Sequence, residues 1–176
     1  MKYVAVGCLG IDNIINSKGV KRLNVFGGNA AFGTAGIALW HEGETGLVAR
    51  MGCDISMENI TVMQQAGIDT TGVHVIPMKN MMFSGMVYDE NGNRREILNE
   101  DEPSGELTPE MVTLAHENFA PTVEDIPDSY ADADVFLCAR HYDRQLSYAQ
   151  HFREKNPGGI IVLDTGAAYM KPEFMN

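Results

Sequence analysis

The sequence predicts an α/β protein: a parallel sheet layered with helices, carrying a small antiparallel flap. Three observations lead there. Short β-rich runs alternate with helical stretches along most of the chain, and such alternation builds a parallel sheet with helices on both faces. A block of consecutive strand-like segments within 73–98 interrupts the alternation, as an antiparallel excursion would. The composition is globular: of 176 residues, 44% are apolar and 21% charged, enough to build a core.

Each element has its own signal. "YVAVGCL" (3–9) is a short β-rich run closed by glycine, a buried strand. "VKRLNVF" (20–26) alternates as an edge strand would. Residues 29–42 are rich in Ala and Gly, with Phe32, Gly36, Leu39 and Trp40 at helical spacing. So many small residues suit a helix packed closely on a sheet. "TGLVAR" (45–50) reads as a strand, and 56–66 as a helix with Ser56 as N-cap and Gly67 as its stop. "VHVIPM" (73–78), "FSGMVYD" (83–89) and "RREIL" (94–98) follow as strands, the last two joined by the turn "ENGN". Thr108, Pro109 and Glu110 open a helix over 108–117. "ADVFLCA" (133–139) is a strand, 144–155 an amphipathic helix broken by "NPGG", and "IIVLD" (160–164) another buried strand.

Composition excludes several functions. A formal net charge of −11 argues against nucleic acid and anionic membranes, whose phosphates are bound by Lys and Arg. No apolar run reaches the roughly 18–20 residues of a membrane span, and "MKYVAVGCLG" reads as a first strand of a cytoplasmic protein rather than a signal peptide. Cys8, Cys53 and Cys138 are widely spaced, without a C-x-x-C pair, which favours reduced structural thiols over disulfides or a metal site.

The stretch "VFGGNAAFGTAGIALW" (25–40) concentrates the functional question. A P-loop needs a lysine after its glycines, and no lysine lies in 23–78. A Rossmann turn needs its glycine triad directly after the first strand, where "GCLGID" fails the spacing. What remains is a helix N-terminus with free N–H donors beside Asn29. Asp12 stands just past the first strand, where ligands of parallel sheets sit, and a carboxylate can accept from two hydroxyls at once. Asp12 with Gly27, Gly28 and Asn29 would form a polyol cradle. On spacing alone a second reading is equally open: Asp12 caps a turn, and the glycines only permit a tight one. "ARHYD" (139–143) follows a strand end on the ligand side, so His141 is a candidate substrate contact, or part of a polar loop without a role.

These residues resemble the ribokinase/PfkB family of carbohydrate kinases. "VAVGCLGID" is similar to that family's first strand and sugar-binding aspartate, and "FGGNAAFGTAGIALWHEGETGLVARMGCD" to its N-terminal signature. "MQQAGIDTTGV" and "MVYDENGNRREIL" are similar to the stretch leading into the flap and to the flap hairpin. The match is co-linear from residue 3 to about 164. The resemblance implies a three-layer ribokinase-like parallel sheet with a small antiparallel β lid, its segments near 15–26 and 70–98. It implies ATP-dependent phosphorylation of a hydroxymethyl group on a sugar, nucleoside or related polyol. Asp12, Gly27, Gly28 and Asn29 would bind the substrate hydroxyls, ATP and Mg²⁺ would serve the complete kinase, and the lid would pair strands across a homodimer.

The resemblance stops short of the chemistry. The family's catalytic motif, D-T-x-G-A-G-D, supplies the base and an anion hole, and it is absent; "DTGAAY" at 164–169 lacks its G-A-G-D end. The expectation is therefore the substrate-binding half of such a kinase, with the catalytic and ATP-binding half absent from 1–176. Two alternatives stand beside it: a ligand-binding or dimerisation module without chemistry, and an unrelated α/β domain. "LDTGA" also evokes aspartic proteases, which need a second such aspartate and a β-rich continuation.

Overall fold

A computed structural model of the chain describes residues 1–79, 83–97, 117–139 and 142–164. The elements run β1 (Tyr3–Cys8), β2 (Gly10–Ile15), β3 (Lys21–Gly27), α1 (Asn29–Ala38), β4 (Thr45–Gly52), α2 (Met57–Gln65), β5 (Ile68–Ile76), β6 (Phe83–Tyr88) and β7 (Arg94–Ile97). Two 3₁₀ turns follow, Val123–Asp125 and Asp128–Tyr130, then β8 (Val135–Ala139), α3 (Tyr142–Lys155) and β9 (Ile160–Leu163). The helix expected at 108–117 lies outside the described residues, apart from Glu117.

The main sheet has the order β5-β4-β1-β8-β9, and every ladder in it is parallel. β1 is the central strand: Val6 stands opposite Val48 on one side and Cys138 on the other. Side chains of a strand alternate between faces, and β4 shows the result. Leu47, Ala49 and Met51 join Ala30, Ala31, Ile60 and Met63 beneath α1 and α2. Val48 joins Val4, Val6, Phe136, Tyr148 and Phe152 beneath α3. On that second face the Phe136 and Phe152 rings stack with centroids 3.6 Å apart. These two apolar layers give the three-layer architecture expected from the sequence.

A second, smaller sheet has the order β3-β2-β6-β7. It is mixed: β2 pairs antiparallel with β3 and β6 with β7, while β2 and β6 run parallel. The β6–β7 turn closes as "ENGN" predicts, with Gly92 at φ +80° and the Asp89 carboxylate accepting from the Asn91 and Asn93 N–H groups, both at 2.8 Å.

Several boundaries differ from the sequence reading. "GIDNII" is a full strand, β2, so the chain passes from the main sheet into the small one through Leu9 alone. β5 begins at Ile68, pairs parallel with β4 and belongs to the main sheet, whereas the sequence placed a flap strand at 73–78. A register shift between Gly46 and Val48 breaks its ladder and with it the alternation that would have marked the strand. α1 stops at Ala38. β9, expected to be buried, is an edge strand, with Ile160, Val162 and Leu163 61%, 44% and 46% exposed. The α2 caps stand as read: Ser56 Oγ accepts from Glu58 N–H at 3.2 Å, and Gly67 turns at φ +76°.

Two partly buried polar contacts pin the 3₁₀ turns to the sheet. Tyr130 is fully buried, and its hydroxyl donates to Asp69 Oδ1 at 2.9 Å. At the carboxyl end of β4, Arg50 Nε donates to Asp125 Oδ2 at 2.7 Å, and Thr122 N–H donates to the same oxygen, also at 2.7 Å. Burial works to raise the Asp125 carboxyl, but the Arg50 hydrogen bond, the Thr122 N–H and the positive charge of Arg50 outweigh it and hold it below its ordinary 3.8.

A carboxyl held low in the fold stabilises above its unfolded pKa and loses that contribution as pH falls through the folded value. Arg50→Met should therefore lower stability by about 1.5–3 kcal/mol at neutral pH. In urea melts across pH, the gap between parent and variant should shrink as pH falls below 3.8. Burial also pushes the Cys138 thiol up to about 12, so little thiolate forms at neutral pH. In a timed thiol-alkylation experiment on the native protein, exposed Cys53 should react first and Cys138 only on unfolding.

Candidate functional site

The site forms where β1 ends, and its geometry begins with missing side chains. A Cβ at Gly7 would lie 2.6 Å from Asn29 Oδ1 and 2.8 Å from the Ala139 carbonyl oxygen. One at Gly28 would lie 2.4 Å from the Cys8 carbonyl oxygen. Gly28 also has φ +104°, a conformation that L side chains disfavour. Bare backbone at both positions lets the N-terminus of α1 rest directly on the carboxyl ends of β1 and β8.

Asn29, the first residue of α1, fastens that contact. Its Oδ1 accepts from the Cys8 N–H at 2.9 Å and faces Cys8 Sγ at 3.1 Å, while its Nδ2 donates to the Ala139 carbonyl. The side chain thus bridges two adjacent parallel strands. The Asn29 side chain points inward to these three partners; towards a ligand it would offer its main-chain N–H. Gly28 caps α1 without a side-chain hydrogen bond, and its carbonyl accepts from Phe32 N–H at 3.1 Å. The N–H groups of residues 29–31 precede the first such bond and have no acceptor within the helix. With the helix dipole they make this end positive.

Asp12 reaches the same place from the small sheet. It lies within β2, opposite Val25 of β3 and Ser84 of β6. The β2–β3 ladder slips between Asp12 and Ile14. Across the slip, Asn24 adopts φ +57° and its N–H donates to Asn13 Oδ1 at 3.0 Å. A bulge of this kind re-aims the neighbouring side chain. Asp12 Oδ2 lies 2.8 Å from the position a Gly27 Cβ would occupy, so the carboxylate sits against the Gly27 backbone. Asp12 therefore stands beside Gly27, the residue that precedes Gly28 in the turn. Asp12 stands on a strand of its own, not on the tail of the first one. His141 lies outside the described residues.

Sequence reading missed Gln145. It is 1% exposed on α3, and its Nε2 donates to the Cys138 carbonyl at 3.1 Å and to the Asp164 carbonyl at 2.5 Å. It joins the carboxyl ends of β8 and β9 as Asn29 joins those of β1 and β8. A lone Gln in a polar helix carries no sequence signal for this.

The parallel order, the small mixed sheet growing out of β1 and the Gly-Gly turn into α1 define a partial ribokinase-like α/β fold, and the structural neighbours are ribokinase/PfkB sugar and nucleoside kinases. Ribokinase from Giardia lamblia matches with TM-score 0.60 and 14% identity over 99% of this chain and 52% of its own. Ribokinase from Cryptococcus neoformans, solved with ADP, matches with TM-score 0.61 and 14% identity over 92% and 50%. A Burkholderia thailandensis nucleoside kinase, solved with inosine, matches with TM-score 0.62 and 13% identity over 95% and 53%. The chain thus spans about half the length of these structures. No family model matches it, and no curated protein does.

Gly28→Ala should cost more than a positive φ alone. The control is Gly92→Ala, at φ +80° with nothing within 4 Å of the added Cβ; it should lose about 1 kcal/mol. Gly28→Ala meets backbone that cannot swing aside, so its loss in denaturant melts should exceed the control by at least about 1–3 kcal/mol.

Proposed function

We propose that this chain supplies the hydroxyl-binding part of an ATP-dependent kinase that phosphorylates a hydroxymethyl group of a sugar, nucleoside or related polyol. One observation carries the reading: the Asp12 carboxylate lies against the Gly27 backbone, at the positive end of α1 and beyond the carboxyl end of the central strand. Carboxylate acceptors and N–H donors facing one space match vicinal hydroxyls, each of which donates and accepts. Asp12 would accept from two hydroxyls, and the backbone of Gly27, Gly28 and Asn29 would donate to their oxygens. The kinase neighbours support the reaction class.

The small sheet would act as a lid. It carries Asp12 on β2, so movement about Leu9 would bring the carboxylate over a bound polyol and exclude water from the transfer. Residues 21–24 of its edge strand β3 are exposed, which supports strand pairing with a second copy.

Neighbours solved with ADP and with ATP and Mg²⁺ support nucleotide and metal use by the complete kinase. Among the described residues no three His, Cys, Asp or Glu are grouped to hold a metal ion. Asp12 beside the α1 N-terminus would repel a phosphate there. No step of phosphoryl transfer is assigned to these residues. A second reading, ligand binding without turnover, uses the same cradle.

Calorimetry against ribose, fructose, adenosine and inosine tests the proposal. At least one should bind, and Asp12→Ala should weaken it about tenfold or more, since a hydrogen bond to a charged group contributes about 1.5–3 kcal/mol. Equal binding by parent and variant would reject the site. Phosphorylation of a bound polyol by the chain with Mg-ATP would reject binding without turnover.

A further inference from the structure

Phe32 has no role in the reading above, and its setting is unusual. It lies in the first turn of α1 among Ala30, Ala31, Gly33, Ala35 and Gly36, yet the residue is 65% exposed. The ring edge, Cζ and Cε2, lies 3.2 and 3.3 Å from the position a Gly27 Cβ would take. Asp12 Oδ2 lies 2.8 Å from that same point. Carboxylate and phenyl ring therefore flank one α-carbon.

Behind the ring an apolar groove of about 680 Å³ runs along α1 past Ala35, Gly36 and Leu39 to Ala66 and Ile68, with Glu42 as its charged lining residue. That volume suits a small molecule. Its walls offer few partners for hydroxyls, and a hydroxyl buried without a partner is costly. A sugar ring can satisfy its hydroxyls at Asp12 and the α1 N-terminus. The group lying over Phe32 would then be flat and apolar.

Resting on the polyol reading of Asp12, we infer that Phe32 is a specificity-determining residue and that the preferred substrate is a polyol bearing a flat aglycone, as a nucleoside does, rather than a free sugar. The sugar hydroxyls engage Asp12 and the backbone of Gly27 and Gly28, and the aglycone stacks on the Phe32 ring at the head of the groove. Aromatic stacking of this kind tolerates different bases, because each offers a flat face.

The test compares two ligands that share one sugar. Methyl β-ribofuranoside and inosine are titrated calorimetrically into the 176-residue chain and into Phe32→Ala, Phe32→Tyr and Asp12→Ala. Inosine should bind roughly tenfold or more tightly than the methyl riboside. Phe32→Ala should abolish that advantage and leave the methyl riboside unchanged, Phe32→Tyr should retain it, and Asp12→Ala should weaken both ligands. Thermal melts should show Phe32→Ala folded, as the residue is mostly exposed. Equal binding of the two ligands to the parent, or equal weakening of both by Phe32→Ala, overturns the Phe32 assignment while Asp12 dependence leaves the polyol site standing. Indifference of both ligands to Asp12→Ala removes the polyol site itself, binding of the methyl riboside without inosine overturns the Phe32 assignment, and if neither ligand binds both readings fall.

Discussion

The seating of α1 on the carboxyl end of β1 is the constraint from which the rest of the structure follows. It requires bare backbone on both sides, at Gly7 of the strand and Gly28 of the turn. It requires Asn29 to occupy the acceptor and donor that parallel strands leave at their ends, the Ala139 carbonyl and the Cys8 N–H. Parallel ladders are slanted and finish with unpaired groups, and a buried group left unpaired costs about 1–3 kcal/mol. Placed there, Asn29 satisfies strand ends and fixes the helix dipole at the mouth of the sheet. Gln145 does the equivalent for β8 and β9 from the opposite helix layer.

This arrangement divides the site between two bodies. The N–H groups belong to α1 and are rigidly tied to the main sheet. The carboxylate belongs to β2 of the small sheet. Leu9, 2% exposed, is the single residue between β1 and β2, and it is anchored in the core beneath α1. The small sheet therefore has a fixed root and an outer edge formed by β3.

On the far face, the 3₁₀ turns are held by polar contacts inside an apolar layer. Tyr130 and Asp69 join the second turn to β5, and Arg50 and Asp125 join the first to β4. These partners are 61 and 75 residues apart in the chain. Local patterning carries no information about such pairs. The fold alone brings Asp125 to the Arg50 guanidinium.

Periodicity and punctuation were legible by themselves. The β-rich runs at 3–9, 45–50 and 133–139, the Ser56 cap, the Gly67 stop and the ENGN turn all depend on neighbours a few residues away, and local sterics and hydrogen bonding determine them. The fold class was also readable, through a pattern of residues resembling a known family. Tertiary structure alone decided the remainder. β2 became a strand, and β5 started at Ile68 and joined the main sheet, because a partner strand was waiting, in β3 and β6 for one and β4 for the other. Asn29 turned inward and Phe32 stayed outward for the same reason: a side chain's role is set by what the fold places within a few ångströms of it, and chain order does not encode that distance.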